Sequence, residues 1–188
     1  MAIKIYIDQG HNPSGTNYAG AVGNGLYESE INYIVGIYLR DLLEFDGLFE
    51  VMVSRETPVS SVGTDPVSSQ RLRVRMANAW PADLFISIHC NSNQNHRING
   101  SEVYIYRFGG RAEALAQSVL NAIVSIVGTR DNGVRAYPTL YVLRETAMPA
   151  ILVELAYLTN ADDAEKLYRN TFEFAYAIYL GILAYFGL

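Results

Sequence analysis

A single cysteine in 188 residues, Cys90, excludes an internal disulfide. Basic side chains are scarce too: 14 Lys and Arg stand against 19 Asp and Glu, a net charge of −5. A nucleic-acid partner is therefore not expected, because phosphate binding draws on clustered cations. The one such cluster, Arg71, Arg73 and Arg75, falls on a presumed helix without interleaved aromatic residues. No apolar run reaches the roughly 20 residues that a membrane span needs. The most apolar segment, 171–188, contains Glu173, Gly181 and several tyrosines, and reads as a buried C-terminal helix. A basic leader with a long apolar stretch is missing, and the chain enters a strand at once. That absence leaves a cytosolic chain, export by another route, or a trimmed chain.

What is present fits one domain, residues 1–188. A chain that is 50% hydrophobic and 18% charged can bury a substantial core. Strand signals appear at 3–7, 49–53, 84–88, 102–106, 140–143 and 150–153. Helical spacing appears at 27–44, where Ile31, Ile34, Val35, Tyr38, Leu39 and Leu42 share a face, and at 69–79. A third helix covers 113–127 with Leu115, Val119, Leu120, Ile123 and Ile126 inward, and one short and one long helix follow residue 154. Residues 10–25, 57–69 and 91–100 read as loops, being rich in Gly, Pro, Ser or polar side chains. This alternation predicts an α/β domain: a mainly parallel twisted sheet of about six strands with helices on both faces.

In such a sheet, ligands bind at the carboxyl ends of the strands. His11 lies just past the run Ile3-Lys4-Ile5-Tyr6-Ile7, and His89 follows Leu84-Phe85-Ile86-Ser87-Ile88. Glu154 follows Ala150-Ile151-Leu152-Val153, where an unpaired carboxylate would be costly to bury unless it served a purpose. Two imidazoles and an acid at one edge point to a metal hydrolase, whose site takes three ligands and leaves a fourth position for water. His96, in a very polar loop, reads as solvated. Glu28 and Glu30 both begin the first long helix, where the helix dipole favours a carboxylate whatever its role, so either can supply the third ligand. Cys90 adjoins His89, but neighbouring strand residues face opposite sides, so it reads as a small buried residue rather than a nucleophile.

Together these residues resemble a known family. The segments are Ile5-Tyr6-Ile7-Asp8-Gln9-Gly10-His11, Glu28-Ser29-Glu30-Ile31-Asn32, Ser54-Arg55 and Arg73-Val74-Arg75-Met76-Ala77-Asn78. Ile86-Ser87-Ile88-His89-Cys90-Asn91, Gly100-Ser101-Glu102-Val103-Tyr104 and the run from Pro149 through Glu154 to Asn160 continue them. In this order they are similar to the zinc-dependent N-acetylmuramoyl-L-alanine amidases, the cell-wall amidase group of bacterial autolysins, sporulation enzymes and phage endolysins. Asn12-Pro13 stands where two glycines are commoner, Ala156 where glycine is frequent, and Cys90 where alanine is frequent. None of these departures removes a ligand.

The resemblance implies one zinc ion, with His11, Glu28 and His89 as ligands and Glu154 as the catalytic carboxylate. It also selects Glu28 over Glu30, because the family ligand stands four residues before an asparagine, here Asn32. The implied reaction hydrolyses the amide between the lactyl group of N-acetylmuramic acid and L-alanine in peptidoglycan, at the cell wall. Zinc would lower the pKa of its water to about 7, and Glu154 would take that water's proton and return it to the departing amine. Arg144, placed after the strand predicted at 140–143, is the candidate for a further donor to the oxyanion. Two other functions remain open on this pattern. A zinc carboxypeptidase would want a cation for a free C-terminal carboxylate, and a non-catalytic peptidoglycan-binding module would need neither metal nor Glu154.

Overall fold

The computed structural model describes residues 2–188; Met1, the first residue of the predicted domain, lies outside the described residues. The chain runs through β1 (Ile3–Gln9), a short hairpin of β2 (Val22–Gly23) and β3 (Leu26–Tyr27), α1 (Glu28–Phe45) and β4 (Phe49–Val53). It continues with α2 (Pro66–Ala79), β5 (Leu84–Asn91), β6 (Ser101–Ile105), α3 (Arg111–Val127) and β7 (Asp131–Ala136). Last come α4 (Tyr141–Arg144), β8 (Ala150–Tyr157), α5 (Ala161–Arg169) and α6 (Thr171–Phe186). The six-stranded sheet has the order β4-β1-β5-β8-β6-β7. Its pairings are parallel except β8 against β6. The predicted α/β architecture is the observed one.

Side-chain alternation divides the sheet into two unlike faces. Ile5, Ile7, Leu84, Ile86, Ile88, Cys90, Ile151 and Val153 point to one side, where α1, α3 and α6 cover them. Helix α1 contributes Ile31, Val35, Leu39 and Leu43, a four-residue spacing that keeps one stripe inward. Burying each such side chain contributes about 1.5–3 kcal/mol. Tyr6, Phe85, Ala150 and Leu152 point to the other side, where α2 and α4 cover a smaller cluster. Tyr6 and Phe85 stack there with centroids 5.4 Å apart. Continuing that side two residues at a time carries Asp8, Ser87, His89 and Glu154 toward the carboxyl ends of β1, β5 and β8; His89 and Glu154 lie within strands that run on to Asn91 and Tyr157, not just past ends at 88 and 153.

Several boundaries differ from the sequence reading. Residues 140–143 form no strand: Tyr141–Arg144 is a single helical turn, closed by Leu143 N and Arg144 N donating to Leu140 O. A four-residue apolar run carries no period long enough to separate strand from helix, and Tyr-Val composition favours strand. Helix α2 begins at Pro66 rather than 69, because Asp65 caps it by accepting from Val67 N and Ser68 N and proline occupies the first turn. Strand β7 carries the turn-prone sequence Asp131-Asn132-Gly133 and sits on the sheet edge, so it lacked a strand signal. Ile34 and Tyr38 were expected inward but are each 39% exposed, at the margin of the α1 stripe; Ile126 is similarly exposed on α3. The C-terminal segment is the expected packed helix, burying Phe174, Ile178 and Ile182. No helix among the described residues is long and apolar enough to cross a membrane.

Candidate metal centre and cleft

Glu28 is the hub of the site. Its Oε1 lies 3.1 Å from His11 Nε2 and 2.9 Å from His89 Nδ1, and it accepts from Cys90 N at 3.2 Å. Its Oε2 accepts from Ala21 N at 2.7 Å, which draws the glycine loop over the start of α1. His11, Glu28 and His89 offer ligand atoms that all lie within 4.8 Å of one another, the one such group among the described residues. Glu30, two residues on and nearly opposite on the helix, is exposed and accepts instead from Ser14 Oγ at 2.7 Å.

The backbone is shaped around these side chains. His11 has φ 68, a left-handed conformation that a non-glycine residue adopts at some cost and that clusters at functional sites. Arg73 helps to hold it by donating to His11 O, while also donating to Gln9 O at 2.7 Å and Ser54 Oγ at 3.0 Å. Asn32 Nδ2 donates to Gly10 O at 3.2 Å. A Cβ at Gly10 would stand 2.4 Å from the His89 ring, and one at Gly20 would stand 2.5 Å from Glu28 Oε2. Both positions therefore need glycine if the imidazoles and the acid are to converge.

The electrostatics follow from burial. Desolvation alone would raise the Glu28 pKa, but hydrogen bonds from His11 and His89, with their charge, carry it well below the usual carboxylate range. Burial lowers His11, and its hydrogen bond to Glu28 only partly compensates. Burial also works against a charged His89, yet Glu28, Glu154 and Asp8 together carry its pKa upward. Burial pushes the Cys90 thiol well up, reinforced by Glu28 and Glu154, so it stays protonated and is no nucleophile. Beneath the cluster, desolvation would raise Asp8, but the charge and hydrogen bond of Arg73 and the Ser87 hydroxyl hold it ionised.

Glu154 faces His89 across the β5–β8 ladder, where the two are register partners. A register shift just beyond His89, between it and Asn91, re-aims this strand end. Burial raises the Glu154 pKa to about 8, with Glu28 and Glu102 adding to the effect and His89 opposing it. Its Oε2 is buried without a hydrogen-bond partner, as is His11 Nδ1. Two unpartnered polar atoms at one edge, beside two imidazoles and a carboxylate, are the mark of a site built to receive something. The donor set, His, His and carboxylate, is the kind that holds a catalytic divalent metal.

His11, His89 and Glu154 line one cleft of about 310 Å³; Glu28 touches both imidazoles without lining it. Tyr18, Arg73, Tyr104, Tyr137 and Tyr141 complete the walls. The sequence assigned no role to these residues: Arg73 stood in a basic cluster and, like Tyr104, in a segment that carries the family resemblance. The buried position of Arg73 follows from the alternation along α2, which turns it inward and Arg71 and Arg75 outward. Glu102, opposite Glu154 in the antiparallel ladder, is buried and accepts from Asn91, Tyr104 and Tyr157. Arg144 is not brought to the cleft. It ends the α4 turn, pairs with Glu145 at 2.7 Å and lies over the Tyr141 ring, so nothing in its placement supports the oxyanion contact expected of it. His96 is exposed in its loop, as expected.

Fold and cluster together define a class: an α/β domain with a His–Glu–His candidate metal centre and a buried carboxylic acid at the carboxyl edge of its sheet. The chain belongs to the N-acetylmuramoyl-L-alanine amidase family, whose profile matches residues 5–184. It is 36% identical over 187 residues to the N-acetylmuramoyl-L-alanine amidase LytC of Bacillus subtilis (strain 168), covering 97% of this chain and 35% of that protein. It thus spans about a third of that relative's length. An uncharacterized protein of the same organism, YqiI, is 37% identical over 186 residues, covering 97% of this chain and 84% of its own length. Among solved structures, an N-acetylmuramoyl-L-alanine amidase from Clostridium difficile 630 superposes with a TM-score of 0.88 at 30% identity, covering 99% of this chain and 97% of that one.

Proposed function

We propose that this chain is a zinc-dependent N-acetylmuramoyl-L-alanine amidase. It hydrolyses the amide between the lactyl group of N-acetylmuramic acid and L-alanine in peptidoglycan, at the cell wall. One observation carries the reading: two imidazoles that share a cleft with a buried, unpartnered carboxylic acid converge with the Glu28 carboxylate. Zinc held by His11, Glu28 and His89 would supply Lewis acidity and make water acidic enough to attack near neutral pH. Glu28 Oε1 stands 3.1 and 2.9 Å from the His11 and His89 ring nitrogens with which it would share the ion, and Arg73 fixes the backbone of His11.

Glu154 moves the proton. Burial raises its proton affinity above that of an ordinary glutamate, which suits it to take a proton from the attacking water and give it up again. The water oxygen ends on the lactyl carboxyl group, and the proton passes from Glu154 Oε2 to the nitrogen of the departing alanine. Burial of that oxygen keeps bulk water from competing for the transfer. Mass spectrometry of muropeptides, digested with and without EDTA, tests the whole reading. Free stem peptides beginning at L-alanine, formed only without chelator, are expected. Loss of a C-terminal residue instead would mark a carboxypeptidase, and binding to cell walls without any cleavage would mark a non-catalytic module.

A further inference from the structure

A larger groove of about 700 Å³ runs between α2 and α4 and adjoins the cleft at Tyr141, which lines both. Arg71 and Arg75 line it, one turn apart on the exposed side of α2. Among the described residues, neither has an acidic partner within ion-pair distance. The acid that lines the groove, Glu145, is already engaged by Arg144 Nε at 2.7 Å. The walls are pinned: Asn78 donates to Glu145 O at 3.0 Å and accepts from Ala147 N at 2.9 Å, which ties α2 to the segment after α4. In a chain of net charge −5, two uncommitted guanidinium groups in a prebuilt groove make a local site for an anion.

We propose that Arg71 and Arg75 form the subsite for a carboxylate on the peptide part of the substrate. This rests on the amidase reading above. In that substrate the lactyl carboxyl is tied up in the amide, so the remaining carboxylates belong to the peptide. A guanidinium fork matches a carboxylate in shape and charge, and the groove begins where the cleft ends. The leaving peptide therefore runs over α2.

The test compares a soluble N-acetylmuramoyl-tripeptide carrying free carboxyl groups with the same compound amidated at those groups. The zinc-loaded wild type is expected to favour the free acid by about tenfold in kcat/KM, mostly through KM. The double variant Arg71→Gln with Arg75→Gln is expected to lose that preference, and Arg71→Glu with Arg75→Glu to reverse it. Both positions are exposed, and circular dichroism checks that each variant is folded. A wild type indifferent to amidation, or a Gln variant that keeps the preference, overturns the subsite and leaves the amidase reading intact. Release of no amino-terminal alanine from either compound by the wild type overturns the amidase reading, and the subsite with it.

Discussion

The face of the sheet under α1, α3 and α6 is apolar over most of its length, with Gln9 and Ser101 as buried polar residues on it, whereas the face under α2 and α4 changes character along its length. It starts with Tyr6, Phe85 and Leu152 and turns polar at Asp8, Ser87, His89 and Glu154. The same strands build both faces, with every second residue assigned to each. One face therefore supplies cohesion, and the other can carry buried charge at the carboxyl edge without opening the core. A slip of one residue in β5 would send His89 into the apolar layer and Cys90 to the cleft.

This division can be broken from either side. Glu154→Ala, on the polar face, is expected to cut kcat/KM by about 100- to 10,000-fold. Zinc content by mass spectrometry should stay near one per chain, whereas His89→Ala should lose metal and hydrolysis together. Arg73→Met should cost about 3–5 kcal/mol in denaturant unfolding, because it strands the Asp8 carboxylate without a counter-charge. Leu39→Ala, on the apolar face, should cost about 2–5 kcal/mol yet leave the kcat of the folded fraction nearly unchanged. If Leu39→Ala impaired turnover as strongly as stability, the two faces would not be separable.

A smaller effect depends on pH. In the metal-free protein the Glu154 pKa stands near 8, above its unfolded value of 4.5, so folding favours the protonated acid. Its contribution to stability is complete below 4.5 and is lost as the pH rises through 8. Glu154→Gln should flatten that decline when unfolding is followed in EDTA between about pH 5 and 8. An unchanged slope would place the titration elsewhere.

The sequence made part of this legible for a physical reason. Strand alternation and strand ends are local signals, so His11, His89 and Glu154 could be placed on one edge before any contact was known. Glu28 could not be separated from Glu30 by spacing, because both suit a helix start; only the family resemblance chose between them. The structure shows the difference as burial against exposure. Arg144 was tied to a strand that turned out to be a helical turn, and its side chain went with it. The meeting of Arg73 with the tyrosines of the cleft depends on how α2, the loop after β1, strand β6 and the segment from β7 into α4 pack together, which no local pattern encodes.

The loop over α1 is fastened through a single carboxyl group: Glu28 Oε1 takes the His11 imidazole near one end, and Oε2 takes the Ala21 amide near the other. It works like a buckle whose two prongs share one pin. Replacing that acid with alanine would unclasp both ends at once, so limited proteolysis within residues 13–20 should report the change before any loss of the sheet is visible.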